Sequence, residues 1–189
     1  MEFHGAQWIK AGGGCEAPLI RREFNLNGPA EGSIAICGLG FFELYLNGRR
    51  VSDDVLTPVW SDYEPRRNRR LLYPLDDTFT HRIYYRVYDV GAYLVPGRNV
   101  LGVMLGNGWA RGRFGFDGKV GNFETGDRGA PIDMFADRFW FLGEVRVLCE
   151  DGSEVVMGTD ESWQCAPSPV TFSSIYDGER YEQGREIPH

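Results

Sequence analysis

The feature that most constrains this chain is a two-residue turn signal that occurs twice between strand-like runs. Residues 41–51, FFELYLNGRRV, place Asn47-Gly48 between two such runs. Asn-Gly is a strong hairpin signal because both residues accept the positive φ angles of a type I′ turn. Asp151-Gly152 occupies the same position within residues 140–157. The two dipeptides predict antiparallel hairpins in both halves of the chain.

Other segments repeat every two residues, as a strand with one buried face does. The side chains of residues 18–26 separate roughly into two faces, and apolar side chains alternate with others in residues 99–105. Glycine contributes 25 of the 189 residues and aromatic side chains 14%. This composition favours short strands joined by tight turns. About eight or more strands at this spacing predict a β-sandwich or jelly roll, with a bend at residues 38–40 and one helical turn in residues 89–94.

Length and charge limit the classes of function. A chain of 189 residues has the size of one domain; we place that domain at residues 1–181 and the start of a linker at 182–189. The net charge of −7 argues against a nucleic-acid partner, which requires a basic face. A basic cluster does occur, but acidic residues follow it, so a solvated loop is favoured over a phosphate site. Its members are Arg66, Arg67, Arg69 and Arg70.

Membrane insertion and secretion are not indicated by the sequence. No apolar run approaches the roughly 18 residues of a membrane span. Residues 1–14 lack the basic and apolar regions of a signal peptide. We therefore expect no membrane partner, and a chain that is cytoplasmic or cut from a longer protein.

Motifs for catalysis and for zinc are absent from the sequence. The four cysteines form no C-x-x-C pair and the three histidines are scattered, while Cys37 and Cys149 lie in apolar runs typical of buried thiols. Neither G-x-S-x-G nor H-E-x-x-H nor Walker A occurs. The 27 acidic residues contain no motif that singles out a pair for glycoside hydrolysis. We expect no catalysis by this chain alone.

The sequence favours carbohydrate binding over catalysis, because two segments combine aromatic, amide, acidic and guanidinium groups with glycine. An aromatic face contacts the C–H surface of a sugar, and the polar groups bond its hydroxyls. The segments are residues 58–63 and 106–128. In the alternative interpretation the tryptophans belong to the core or a strand end and the arginines to ion pairs. The candidate sugar-binding residues are Trp60, Asp62, Asn107, Trp109, Arg111, Arg113, Asp117 and Asn122.

Oxygen-bearing side chains in the second segment raise the possibility of calcium, which takes six to eight oxygen ligands. Asp117 and Asn122 are the candidate ligands, with Glu124 and Asp127 nearby. Their spacing does not match an EF-hand, and a solvated acidic loop is the alternative. No other cofactor is expected.

Five segments in a fixed order resemble the N-terminal β-sandwich domain of bacterial α-L-rhamnosidases, glycoside hydrolase family 78. The first reads AQWI and PLIRREF, and the longest reads YDVGAYLVPGRNVLGVMLGNGWARG over residues 88–112. Together they cover nearly the whole chain. They lie in residues 6–24, 39–63, 88–112, 151–163 and 175–181.

The resemblance implies a jelly-roll-like, galactose-binding-like sandwich that recognises rhamnose-containing glycans without catalysing a reaction. In the family, catalytic acids lie in a separate (α/α)6 barrel, and a related module binds L-rhamnose through calcium. Two rival hypotheses stay open: a structural domain packed on that barrel, and a self-contained glycosidase. The chain departs from the family pattern by extra residues between Tyr63 and Tyr88 and at about 129–138.

Overall fold

The computed structural model describes residues 3–11, 16–61, 63, 82–111 and 139–185. These ranges contain strands, one 3-10 turn (Gly91–Tyr93) and one four-residue helix, α1 (Gly108–Arg111). No helix in them has the length and hydropathy needed to cross a membrane. The strands are β1 (Ile9–Lys10), β2 (Leu19–Leu26), β3 (Ala30–Leu39), β4 (Phe41–Leu46), β5 (Arg49–Arg50), β6 (Arg86–Asp89), β7 (Gly97–Gly106), β8 (Trp140–Cys149), β9 (Glu154–Gly158), β10 (Gln164–Ala166), β11 (Val170–Ser174) and β12 (Gly178–Tyr181).

The strands form two five-stranded sheets and a separate hairpin. Sheet A has the order β1-β8-β3-β6, with β9 also paired to β8; sheet B has the order β10-β2-β7-β4-β5. Strands β11 and β12 form the hairpin, and every strand pairing given by the structure is antiparallel. The predicted all-β sandwich is confirmed.

The core lies between sheets A and B because each strand turns alternate apolar side chains inward. On sheet A, Ile34 and Val145 are opposite each other in the pairing of β3 with β8, and both are buried. On sheet B, Leu101 and Val103 of β7 are buried, as the alternation of residues 99–105 predicts. The predicted buried thiols Cys37 and Cys149 are also buried and free.

Both predicted hairpin turns are present. Asn47 and Gly48 have φ angles of 52° and 76°, as a type I′ turn requires. Gly152 has a φ of 82°, and β8 and β9 pair on either side of it. The bend at residues 38–40 is confirmed by Gly40, with a φ of 125° between β3 and β4. The helical turn expected in residues 89–94 is the 3-10 turn.

Candidate functional site

The candidate site is built on a close backbone contact at one end of the sandwich, where β3 bends into β4 and β7 runs into α1. A Cβ atom at Gly40 would lie 2.2 Å from the carbonyl oxygen of Gly106, and one at Gly108 would lie 2.6 Å from the backbone nitrogen of Phe41. Gly40 and Gly108 also have positive φ angles, which glycine adopts without strain. The two glycines therefore set α1 directly against the first residue of β4.

This contact places Trp109 in an aromatic cluster at the rim of the sandwich. Its ring lies 5.9 Å from the Phe41 ring in an edge-to-face arrangement and 5.4 Å from the Trp60 ring at 42°. Trp60 is 40% exposed, and Trp109 is half-buried. Neither tryptophan belongs to the hydrophobic core cluster. The structure thus brings together two predicted sugar-binding residues from separate segments.

The loop that carries Trp60 is held by polar contacts of its backbone and side chains. The Phe42 N–H donates to the Thr57 carbonyl at 3.0 Å. At the other end, the Tyr84 N–H donates to the Ser61 hydroxyl at 3.0 Å. Side chains of Val55, Leu56 and Val59 face solvent between these points. The loop therefore presents apolar side chains from an anchored backbone.

Asp54 provides a further anchor for this loop. Its carboxylate accepts hydrogen bonds from the Arg86 guanidinium at 2.7 Å and from the Tyr88 hydroxyl at 2.9 Å. The hydrogen bond from Arg86 has the larger effect and the bond from Tyr88 the smaller one, and together they hold the pKa of Asp54 below its usual value. The carboxylate is thus charged at neutral pH and ties the loop to β6.

Arg111, the last residue of α1, lies over an aromatic ring. Its guanidinium carbon is 4.2 Å from the centre of the Phe139 ring. Such a cation–π contact fixes the plane of the guanidinium group. The structure therefore gives this predicted sugar-binding residue a defined orientation two positions after Trp109.

Asn107, between β7 and α1, is fully buried and links separate parts of the fold. Its Nδ2 donates to the Ser173 carbonyl at 2.6 Å and lies 3.5 Å from Oε2 of Glu16. Its Oδ1 has no hydrogen-bond partner within the described ranges. In this conformation Asn107 attaches the β11–β12 hairpin to the end of β7, and its side chain does not face solvent.

Four of the predicted site residues lie outside the described residues: Asp62, Arg113, Asp117 and Asn122. The proposed calcium ligands, the four clustered arginines and most of the two extra stretches fall there as well. Within the described ranges, no three His, Cys, Asp or Glu side chains come close enough to hold a metal.

Sequence reasoning did not select Phe41 or Ser173, although both support the site. The position of Phe41 directly after the bend at Gly40 is the sequence feature that could have indicated its role. Ser173 contributes a backbone carbonyl from 66 residues away, and a backbone group carries no residue-specific signal.

Comparison with known proteins identifies the family. The profile described as "Alpha-L-rhamnosidase N-terminal domain" matches residues 28–70 and 66–189. An α-L-rhamnosidase of Formosa agariphila is 32% identical over 179 residues, which are 92% of this chain and 16% of that protein. One from Streptomyces avermitilis is 28% identical over 172 residues, 90% of this chain and 14% of that protein. The chain thus spans about a sixth of the length of these relatives.

Comparison with solved structures gives the same family. The native α-L-rhamnosidase from Aspergillus terreus superposes with a TM-score of 0.74 at 29% identity, over 96% of this chain and 19% of that one. The Streptomyces avermitilis α-L-rhamnosidase complexed with L-rhamnose superposes with a TM-score of 0.67 at 26% identity, over 92% of this chain and 14% of that one. This chain belongs to the family of α-L-rhamnosidase N-terminal domains.

Proposed function

We propose that this chain is a non-catalytic carbohydrate-recognition domain of an α-L-rhamnosidase and binds rhamnose-containing glycans. The observation that carries the proposal is the Trp60–Trp109 pair, with ring centres 5.4 Å apart at the rim of the sandwich. Trp60 keeps 40% of its surface exposed, which is enough for one ring face to contact the C–H surface of a sugar. L-Rhamnose is the sugar bound to the Streptomyces relative.

Polar groups around the pair would bond the sugar hydroxyls. Arg111 supplies guanidinium donors whose plane is fixed by the Phe139 ring. Asp62 and Arg113 follow Trp60 and Arg111 by two positions each in the sequence, and we assign them the same role. Asn107 acts indirectly, because its buried amide holds the start of α1 against the β11–β12 hairpin.

We include calcium in the same proposed site. The Oδ1 of Asn107 is a buried oxygen that has no hydrogen-bond partner within the described ranges, and amide oxygens are among the ligands that calcium takes. Asp117 and Asn122 are the predicted ligands of the ion, and we propose the Oδ1 atom of Asn107 as a third. Bound there, the ion would supply a hard positive charge for sugar hydroxyls.

Titration of the 189-residue protein with L-rhamnose and methyl α-L-rhamnoside, followed by calorimetry, tests the proposal. We expect binding that Trp60→Ala weakens about ten-fold, a loss of about 1.4 kcal/mol. Trp8→Ala is the matched control, because Trp8 is 38% exposed and is not part of the aromatic cluster. Repeating the titration with added calcium and then with a chelator tests the ion. If neither sugar binds under either condition, the recognition role is wrong.

The second candidate is a structural domain that packs against other domains of an α-L-rhamnosidase. Solvent-facing Val55, Leu56 and Val59 favour it, since exposed apolar clusters mark interaction surfaces. Absence of sugar binding, together with self-association that Val55→Ser and Val59→Ser abolish, would support this candidate. In both cases we expect no release of p-nitrophenol from a synthetic rhamnoside by this chain alone.

A further inference from the structure

We propose that the outer face of sheet B carries a second sugar-binding site, a shallow groove over Gly102 that accepts a neutral 6-deoxyhexose. The inference rests on the proposed carbohydrate-recognition function and extends it to a surface that shares no residue with the aromatic cluster. The groove has a volume of about 720 Å³, within the roughly 300–1,000 Å³ typical of small-ligand sites.

The strand register places a gap at the centre of this face. One row across the sheet runs Gln164, Arg21, Gly102, Tyr45 and Arg50, from β10 to β5. Each of these positions has a side chain except the middle one. Strand side chains stand perpendicular to the sheet, so the missing side chain of Gly102 leaves a depression in the row.

The neighbouring side chains on both sides line the groove and are held in place by hydrogen bonds. On one side, Arg21 donates from Nε to the Gln164 amide oxygen at 2.9 Å and from Nη2 to Glu23 at 2.8 Å. On the other side, the Tyr45 hydroxyl donates to Glu43 at 2.7 Å. These hydrogen bonds keep the space above Gly102 open without any rearrangement on binding.

The floor of the groove is apolar and its rim is polar. Val100 and Met104 flank Gly102 along β7, and Leu19 lies opposite Met104 on β2. The Tyr45 ring and the Gln164 amide line the edges. An aromatic ring and an amide suit the C–H surface and the hydroxyls of a sugar, while the aliphatic floor suits a methyl group. A 6-deoxyhexose carries a methyl group where other hexoses carry a hydroxymethyl group.

The charges at the rim favour a neutral ligand. Glu23 lies 2.8 Å from Arg21 and 2.7 Å from Arg98. Glu43 lies 3.1 Å from Arg50. These carboxylate and guanidinium groups are thus already paired with one another in the part of the chain that the structure describes. A neutral sugar is therefore a better match than a sugar acid or a phosphate.

The test uses NMR chemical-shift mapping of the Trp60→Ala protein, in which binding at the aromatic cluster is weakened. We expect L-rhamnose to shift the backbone amides of residues 19–21, 100–104 and 164–166. L-Mannose, which differs from L-rhamnose only by a hydroxyl at C6, is the matched ligand. That hydroxyl would lie unpaired over the aliphatic floor, so we expect L-mannose to bind at least about ten-fold more weakly.

Gly102→Val fills the depression, and the position has room for it, since an added Cβ atom would come no closer than 3.9 Å to another atom. We expect this variant to lose the shifts while keeping its circular dichroism spectrum. Met104→Gln provides a second variant that makes the floor polar and should weaken binding about ten-fold. Both variants should leave L-rhamnose binding at the aromatic cluster intact when Trp60 is restored.

Three results would overturn the proposal of a sugar site in this groove. They are L-rhamnose shifts that persist in folded Gly102→Val, equal responses to L-rhamnose and L-mannose, or self-association through this face without any response to sugar. Shifts confined to the surroundings of Trp60 and Trp109 in the unmodified protein would also overturn it, and would leave the proposed function standing. Conversely, shifts at the groove with none near Trp60 would show that the aromatic cluster does not bind sugar and would leave the groove standing as a site.

Discussion

The carboxylate of Glu144 accepts a hydrogen bond from the backbone N–H of His4 at 2.8 Å, across 140 residues of sequence. The same oxygen accepts from the Gly5 N–H at 3.1 Å, and the other oxygen lies 2.6 Å from the Arg146 guanidinium. Glu144 is on β8, on the outer face of sheet A, and is 0% exposed. The N-terminal segment is therefore fixed across that face by one buried, charged side chain.

Replacing Glu144 with glutamine should destabilise the protein by about 2 kcal/mol, because charge-assisted hydrogen bonds to a buried carboxylate are lost. Urea unfolding at pH 7 measures this loss. Hydrogen exchange should show the amides of His4 and Gly5 becoming unprotected. Glu154→Gln on the exposed part of β9 is the control and should change stability little. Equal stability of the two variants would contradict the role of Glu144.

The stabilisation by Glu144 should depend on pH in a defined direction. Burial alone would raise the pKa of Glu144, but the bonds from Arg146, Gly5 and His4 outweigh it and lower the pKa below 4.5. A lowered folded-state pKa means that the stabilisation is complete above the unfolded pKa and is lost as pH falls through the folded one. The difference in unfolding free energy between wild type and Glu144→Gln should be constant from pH 7 to about 5.5 and shrink below pH 4.5. A constant difference down to pH 3 would contradict the lowered pKa of Glu144.

The sequence predicted those parts of the fold that depend on neighbouring residues. Asn47-Gly48 and Asp151-Gly152 specify their hairpins locally. Whether a residue tolerates a positive φ angle depends mainly on its own side chain, and glycine tolerates it without strain. The partner of Glu144 could not be predicted, because the contact is to backbone groups 140 residues away. At the candidate site, Trp60 and Trp109 were selected for their chemistry. Their contact depends on a backbone approach that two separate glycines permit.

Asn47 should stabilise the protein through its side chain as well as its turn conformation. Its Nδ2 donates to the Tyr93 carbonyl at 2.9 Å and to the Asn99 amide oxygen at 2.8 Å, and its Oδ1 accepts from the Val100 N–H at 2.9 Å. Asn47→Gly keeps the positive φ and removes all three bonds. We expect a loss of about 2–3 kcal/mol in urea unfolding. Wild-type stability of this variant would show that the turn conformation alone matters.

The cysteines should differ sharply in reactivity. Burial raises the pKa of Cys37 to about 12, and the thiolate is the reactive form. In the native protein at pH 8, iodoacetamide should therefore leave Cys37 unmodified and label the exposed Cys165. Peptide mass spectrometry separates the two sites, and unfolding in urea should make both reactive. Labelling of native Cys37 at the rate of Cys165 would contradict its burial.

Gly108 should be far less tolerant of substitution than Gly48, although both have a positive φ, of 50° and 76°. At Gly48 an added Cβ atom meets nothing within 4 Å, so Gly48→Ala carries only the conformational cost of about 1–2 kcal/mol. At Gly108 the added atom would lie 2.6 Å from the Phe41 nitrogen, so α1 must move away from β4.

We expect Gly108→Ala to cost more than about 3 kcal/mol in urea unfolding and to remove L-rhamnose binding at the aromatic cluster. Gly48→Ala should retain that binding, because Gly48 lies in the hairpin turn and not beside Trp109. Tryptophan emission reports the polarity around the indole rings, so a shifted emission spectrum in Gly108→Ala alone would accompany the loss. Equal stabilities of the two alanine variants would mean that the close approach of α1 to β4 does not hold the tryptophan pair in place.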